Sequence, residues 1–91
     1  MDERIINQEK AKKYKEMMVG RRYRHFKDTV YLVTDIAVHS ETEELMVVYK
    51  TFENTHMVWV RPLEMFLSEV DKKKYPDVQQ KFRFELLESE E

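Results

Sequence analysis

The chain has 91 residues, 42% apolar and 37% charged, with five Phe, five Tyr and a single Trp, a mixture expected to fold as one small domain burying about two thirds of its unfolded surface. It has no cysteine, which excludes disulfides and thiolate metal sites, and nothing points to an oxidising compartment. The longest apolar run, Leu45 to Tyr49, is five residues, too short for a bilayer span or a signal-peptide core, so a soluble cytoplasmic protein is expected.

The formal charge of −2 hides an asymmetry. Residues 1–24 carry eight Lys/Arg against four Asp/Glu, residues 25–61 three against six, and residues 62–91 five against eight. A basic N-terminal segment can meet phosphate or can balance an acidic neighbour. The overall pI of 5.9 is far from the basic values typical of nucleic-acid-binding domains.

Asp2 can cap a helix whose turns gather Ile6, Ala11, Tyr14, Met17 and Met18 on one stripe, interrupted by Asn7 and Lys10. This weakly amphipathic helix should stop near Gly20, the only glycine, which suits a left-handed cap. Beyond Gly20 the period becomes twofold and predicts strands at about 21–26, 30–38, 45–52 and 57–61. Short polar connections, Lys27-Asp28-Thr29, Ser40 to Glu44 and Glu53 to His56, imply an antiparallel meander.

Pro62 ends the fourth strand, and Leu63 to Leu67 has room for one helical or 3₁₀ turn sealing an open end with Leu63, Phe66 and Leu67. Asp71 to Asp77 reads as an exposed loop. Phe82, Phe84 and Leu86 then alternate with Lys81, Arg83 and Glu85 as a one-sided fifth strand. The expected division is an N-terminal helical extension (1–19), a β domain (20–87) and a disordered acidic tail (88–91). The fold class is mainly β: a small five-stranded SH3-like barrel with an added N-terminal helix and a short helical turn before the last strand. A curled sheet under a helix is the alternative.

Three blocks concentrate the unusual chemistry: Tyr23-Arg24-His25-Phe26-Lys27, His39-Ser40-Glu41-Thr42 and Trp59-Val60-Arg61-Pro62. Strand alternation puts Val30, Leu32, Thr34, Ile36 and Val38 on the expected core face of the second strand, and Tyr31, Val33, Asp35, Ala37 and His39 on the other. The same parity groups Tyr23 with His25, Val47 with Tyr49, and Met57 with Trp59 and Arg61. The candidate ligand-binding set is therefore Tyr23, His25, Tyr31, His39, Tyr49, Trp59 and Arg61, an aromatic face with polar anchors. The same residues would also serve as a second mini-core.

Other chemistries find less material. Ser40 and His39 are consecutive and would point apart in a strand, and no glycine-bearing nucleophile elbow is present. His25, His39 and His56 with one carboxylate lack ligand-like spacing, and one glycine cannot build a phosphate-cradling loop. No catalytic residue, metal or cofactor is expected.

The blocks resemble a small bacterial family known only as a domain of unknown function, number sixteen fifty-three. The resemblance is carried by Tyr23 to Lys27, Tyr31, Ala37, His39 to Thr42, Val47-Val48-Tyr49, Trp59 to Pro62 and Met65-Phe66, over roughly residues 20 to 70. It implies an SH3-like barrel and supplies no activity. Asp28 stands where the family usually has a glycine after the lysine, and residues 52–56 replace a glycine-containing turn.

The leading functional expectation is a binding module for a small anionic ligand or a peptide, with Tyr23, Tyr31 and Trp59 as walls and His25, His39 and Arg61 as anchors. The first alternative is single-stranded nucleic acid bound through Lys10, Lys12, Lys13, Lys15, Arg21, Arg22 and Arg24, with Tyr23 and Phe26 stacking on bases. The second is a hydrolytic enzyme using His39 beside Ser40 or Glu41. No membrane partner is expected.

Overall fold

The change of period at Gly20 is a structural junction. In a computed structural model describing residues 3–53 and 56–87, helix α1 (Glu3–Met18) ends two residues earlier and Gly20 adopts φ +84°. Its amide donates to the Val33 carbonyl at 2.8 Å, which turns the chain directly into the sheet. The expected cap at Asp2 and the acidic tail at 88–91 lie outside the described residues.

The strands are β1 (Arg22–His25), β2 (Val30–Val38), β3 (Leu45–Thr51), β4 (Val58–Pro62) and β5 (Phe84–Leu86), with α2 (Leu63–Phe66) between the last two. They pair antiparallel in the order β4-β3-β2-β1-β5, so the first four form the expected meander and β5 returns to pair with β1. No ladder joins β4 to β5 among the described residues. The sheet is curled and open, not closed into a barrel.

The β1–β2 hairpin closes through a three-residue loop. His25 N–H donates to the Thr29 carbonyl at 2.8 Å and Asp28 sits at φ 77°, the left-handed position of a turn followed by a bulge, where glycine is the easiest occupant. The β2–β3 loop uses Glu43 the same way, at φ 64°.

The expected core face of β2 is corrected before the register shift between Val33 and Asp35, where Val33 is buried in place of Leu32, and holds at Ile36 beyond it. The bulge inserts one residue and reverses parity beyond it. Val33 and Ile36 are buried while Val38 is half exposed. Thr34 uses its hydroxyl to donate to the Val48 carbonyl at 3.2 Å, and Asp35 Oδ1 accepts the Ile36 amide at 2.8 Å.

The core fills the concave side with Met18, Tyr23, Val33, Ile36, Leu45, Val47, Tyr49, Leu63, Phe66 and Phe84, and Ala11 and Tyr14 of α1 pack against it. Other expectations are corrected at the edges, because short elements bury only part of their stripe. Met17, Leu67, Phe82 and Leu86 are each at least 42% exposed, and Phe82 meets Glu69 only in an isolated bridge. Among the described residues no helix is long and apolar enough to cross a membrane.

Phe66 is fully buried and stacks on Phe84 with centroids 4.0 Å apart. Phe66→Ala should cost about 3–5 kcal/mol in urea unfolding, through lost burial and the cavity left behind. Nothing lies within 4 Å of a Cβ built on Gly20, so Gly20→Ala should cost only the conformational penalty, about 1 kcal/mol by the same measurement.

Candidate functional site

Because directly opposed residues of an antiparallel ladder share a face, the register decides which candidate residues meet. Tyr23 opposes Tyr31 and Leu86, His25 opposes Phe84, Val33 opposes Tyr49, and Tyr49 opposes Trp59. Val47, on the same face as Tyr49, opposes Arg61. Tyr23, His25, Tyr31, Tyr49, Trp59 and Arg61 therefore all belong to the concave face. His39 does not, because it follows the bulge and lies past the end of β2.

Burial and position relative to a single cleft then divide the six, Tyr49 belonging to the core at 5% exposure and also lining that cleft. Tyr23 is 8% exposed and packs edge-on to Phe66 at 5.2 Å, so it is part of the core. Burial pushes its hydroxyl pKa above the ordinary value, partly offset by Arg21. Trp59 is 45% exposed on edge strand β4, outside the cleft described below. His25, Tyr31, Tyr49 and Arg61 remain together and line a cleft of about 470 Å³ between the curled edges of the sheet.

The hairpin adds Phe26, Lys27 and Thr29 to this cleft, and β5 with its approach adds Arg83 and Phe84. The 71–75 loop completes it with Asp71, Lys74 and Tyr75. Tyr31 and Phe84 meet at 5.9 Å and Tyr49 and Phe84 at 5.7 Å, forming an aromatic floor. Phe26 lies 4.3 Å from the His25 ring and 4.9 Å from Tyr75, forming a side wall.

Arg61 bridges the two sheet edges from β4. Its Nε donates to Tyr49 Oη at 3.3 Å, and its guanidinium carbon lies 5.2 Å from the Phe84 ring centroid. Stacking of this kind fixes the planar fork without neutralising it. Arg83 is held similarly, its Nε donating to Ser68 Oγ at 3.2 Å. Among the described residues, the ion pairs are Lys15 with Asp35 and Arg24 with Glu85; neither involves a cleft cation. Asp71, the cleft's carboxylate, accepts the Lys73 and Lys74 amides at 3.0 and 3.4 Å and thereby builds its own loop.

His25 Nδ1 accepts the Lys27 amide at 3.1 Å, so the neutral ring carries its proton on Nε2. Burial, then the nearby charges of Arg61, Lys27 and Arg83, hold its pKa below the ordinary imidazole value.

His39 has a different setting. Its Nδ1 accepts the amides of Glu41 at 3.1 Å and Thr42 at 3.2 Å, while Thr42 Oγ1 accepts the Glu44 amide at 3.3 Å. This histidine folds the β2–β3 turn. The residues of the nucleic-acid alternative spread over α1 and β1: Lys15 pairs with Asp35 at 3.5 Å, Arg24 pairs with Glu85 at 3.5 Å, and Arg22 lies 5.2 Å from the Phe52 ring centroid. Lys10, Lys12, Lys13 and Arg21 are exposed, Tyr23 is in the core, and Phe26 lines the cleft. No group of three His, Asp or Glu side chains able to hold a metal ion occurs among the described residues.

Sequence reasoning missed Lys74, Tyr75 and Arg83, which read locally as loop or solvent-facing residues. The available clue was the fifth strand itself: a strand that returns to pair with β1 must carry the preceding loop past the hairpin tip. The Phe26 amide donates to the Arg83 carbonyl at 3.0 Å, and Gln80 Nε2 donates to the Arg24 carbonyl at 3.1 Å, which pins that path.

Residues 21–86 match the family described as protein of unknown function, DUF1653, while no curated protein and no solved structure matches the chain. The matched stretch contains all five strands, α2 and every residue of the cleft, and leaves α1 outside. The chain belongs to the DUF1653 family.

Proposed function

We propose that this domain is a binding module that takes a small anionic ligand in the cleft between β4 and β5. The observation that carries this reading is the charge imbalance: Lys27, Arg61, Lys74 and Arg83 converge on one cleft with a single carboxylate, Asp71, which already serves backbone amides. Like charges gathered without partners are costly unless a counter-charge arrives, and a concave low-dielectric setting strengthens that attraction. The same imbalance accounts for part of the depressed His25 pKa.

Binding is favoured over hydrolysis because the His25 Nδ1 lone pair is occupied by the Lys27 amide and the His39 Nδ1 lone pair by two turn amides, so a general base would first have to give up a structural bond. The finer fold reading belongs to the same proposal. The strand order, the helical turn before β5 and the approach of Arg61 to Phe84 support an SH3-like barrel left open at one seam, with the ligand seated at the seam.

Sulfate is the probe of choice because its charge is constant through the histidine range. Arg61→Ala and Arg83→Ala should each weaken sulfate binding about tenfold or more in calorimetry at low salt, as expected for loss of a charge-assisted contact of about 1.5–3 kcal/mol. Unchanged affinity in both variants would reject the site.

His25 supplies a pH signature. With the folded pKa below the unfolded one, the unfolded chain binds more protons between the two values, so His25's contribution makes stability rise with pH through that window and lowers it in acid. A bound anion favours the imidazolium. Sulfate affinity should therefore increase as pH falls from about 8 to about 5.5, and His25→Gln should flatten the profile. NMR titration of the free protein should find the His25 midpoint below that of an unstructured histidine.

A further inference from the structure

We propose that the occupant of the cleft is a phosphate monoester whose organic group includes a planar aromatic ring, a pattern shared by nucleoside monophosphates and aryl phosphates. The inference rests on the anion-binding reading and narrows its ligand class.

Size is the first consideration. The cleft measures about 470 Å³, within the ordinary range for small-molecule pockets of about 300–1,000 Å³. A water molecule's share of liquid is about 30 Å³, and a bare tetrahedral oxyanion needs only a few times that. Room remains for an organic group.

Donor and acceptor balance is the second. Lys27, Arg61, Lys74 and Arg83 only donate, and His25 has its proton on Nε2. Tyr49 Oη already accepts from Arg61 Nε, so its own proton is left to give. Asp71 Oδ1 is held by two loop amides. Such a surface suits a head group that only accepts and carries more than one negative charge. A phosphomonoester dianion meets both conditions, whereas a single carboxylate carries half the charge and fewer acceptor positions.

The aromatic wall is the third. Phe26 and Tyr75 are half-buried and meet at a tilt of 58°, not flat against each other. Among the described residues no ring stacks parallel on Tyr75; Lys27 Nζ and Lys74 Nζ each lie 5.5 Å from its centroid. A flat ligand ring can use that face while the lysines turn toward the phosphate, since both are long, exposed and rotatable. The wall and the arginines line the same cleft, so one ligand can engage both.

The full chain would be titrated at low salt with inorganic phosphate, ribose phosphate, adenosine monophosphate, phenyl phosphate and isophthalate, following the Arg61 Nε, His25 and Tyr75 resonances. At least one aromatic ester should bind about tenfold or more tightly than ribose phosphate, the increment expected of ring stacking. Tyr75→Leu, which keeps apolar bulk and removes the π-face, should bring that ratio toward one. Preference for the nucleotide or for phenyl phosphate identifies the source, and equal affinities support the shared chemistry. If ribose phosphate binds as tightly as both aromatic esters, the aromatic group is refuted while the anion site stands. If isophthalate matches phenyl phosphate, the phosphate assignment is refuted and the anion site again stands. Absence of any response to inorganic phosphate, sulfate and all the esters would overturn both this inference and the anion-binding reading.

Discussion

The flat stack of Phe66 on Phe84, with planes only 7° apart, is the contact on which the rest of the domain depends. Phe66 comes from the short helix after β4 and Phe84 opens β5, so one pair of rings fastens together the two ends of a sheet that, among the described residues, no hydrogen-bonded ladder closes. Tyr23, Tyr49 and His25 meet these rings edge-on at 4.9 to 5.7 Å. Each such pair contributes about 0.5–1.5 kcal/mol beyond its area. In a domain of 91 residues that sum is comparable to the whole net stability.

The aromatic fastening also creates the electrostatic site. An open seam between β4 and β5 would ordinarily fill with apolar side chains, yet here Arg61 lies over the Phe84 ring and Arg83 is tied to Ser68. Both guanidinium groups are positioned by contacts that leave their charge uncompensated. The hairpin tip and the 71–75 loop bring lysines to the same place, and burial, followed by the charges of Arg61, Lys27 and Arg83, holds the His25 pKa below its ordinary value. Packing and charge placement are therefore two faces of one aromatic layer. Tyr49 shows this directly, with its ring in the core and its hydroxyl on Arg61.

Local pattern carried the elements well. The four meander strands and the turn of helix fall within two residues of where alternation, polar connections and Pro62 put them, because those signals are properties of neighbouring residues. What local pattern could not carry was phase and return path. Nothing in Val33-Thr34-Asp35, which lacks glycine, announces a bulge; it arises from how β2 pairs with β3 over its full length. Likewise Lys74, Tyr75 and Arg83 enter the cleft only because β5 comes back to β1. Within the candidate set, parity brought His25, Tyr31, Tyr49 and Arg61 to the cleft. It could not tell that Tyr23 would be covered by Phe66 or that Trp59 would lie beyond the rim.

The bulge in β2 has a further consequence for how this molecule can change. Before it, side chains of one parity look into the concave layer; after it, that parity looks away, and the strand ends in a turn folded by its own histidine. The two ends of the longest strand are thus mechanically insulated from each other. Residues can be gained, lost or exchanged in the 40–43 loop without rotating a single cleft side chain, whereas loss of one residue at the bulge would invert the faces of everything between it and the turn. The reach of a change is therefore sharply uneven along one strand, local at its tip and long at its middle.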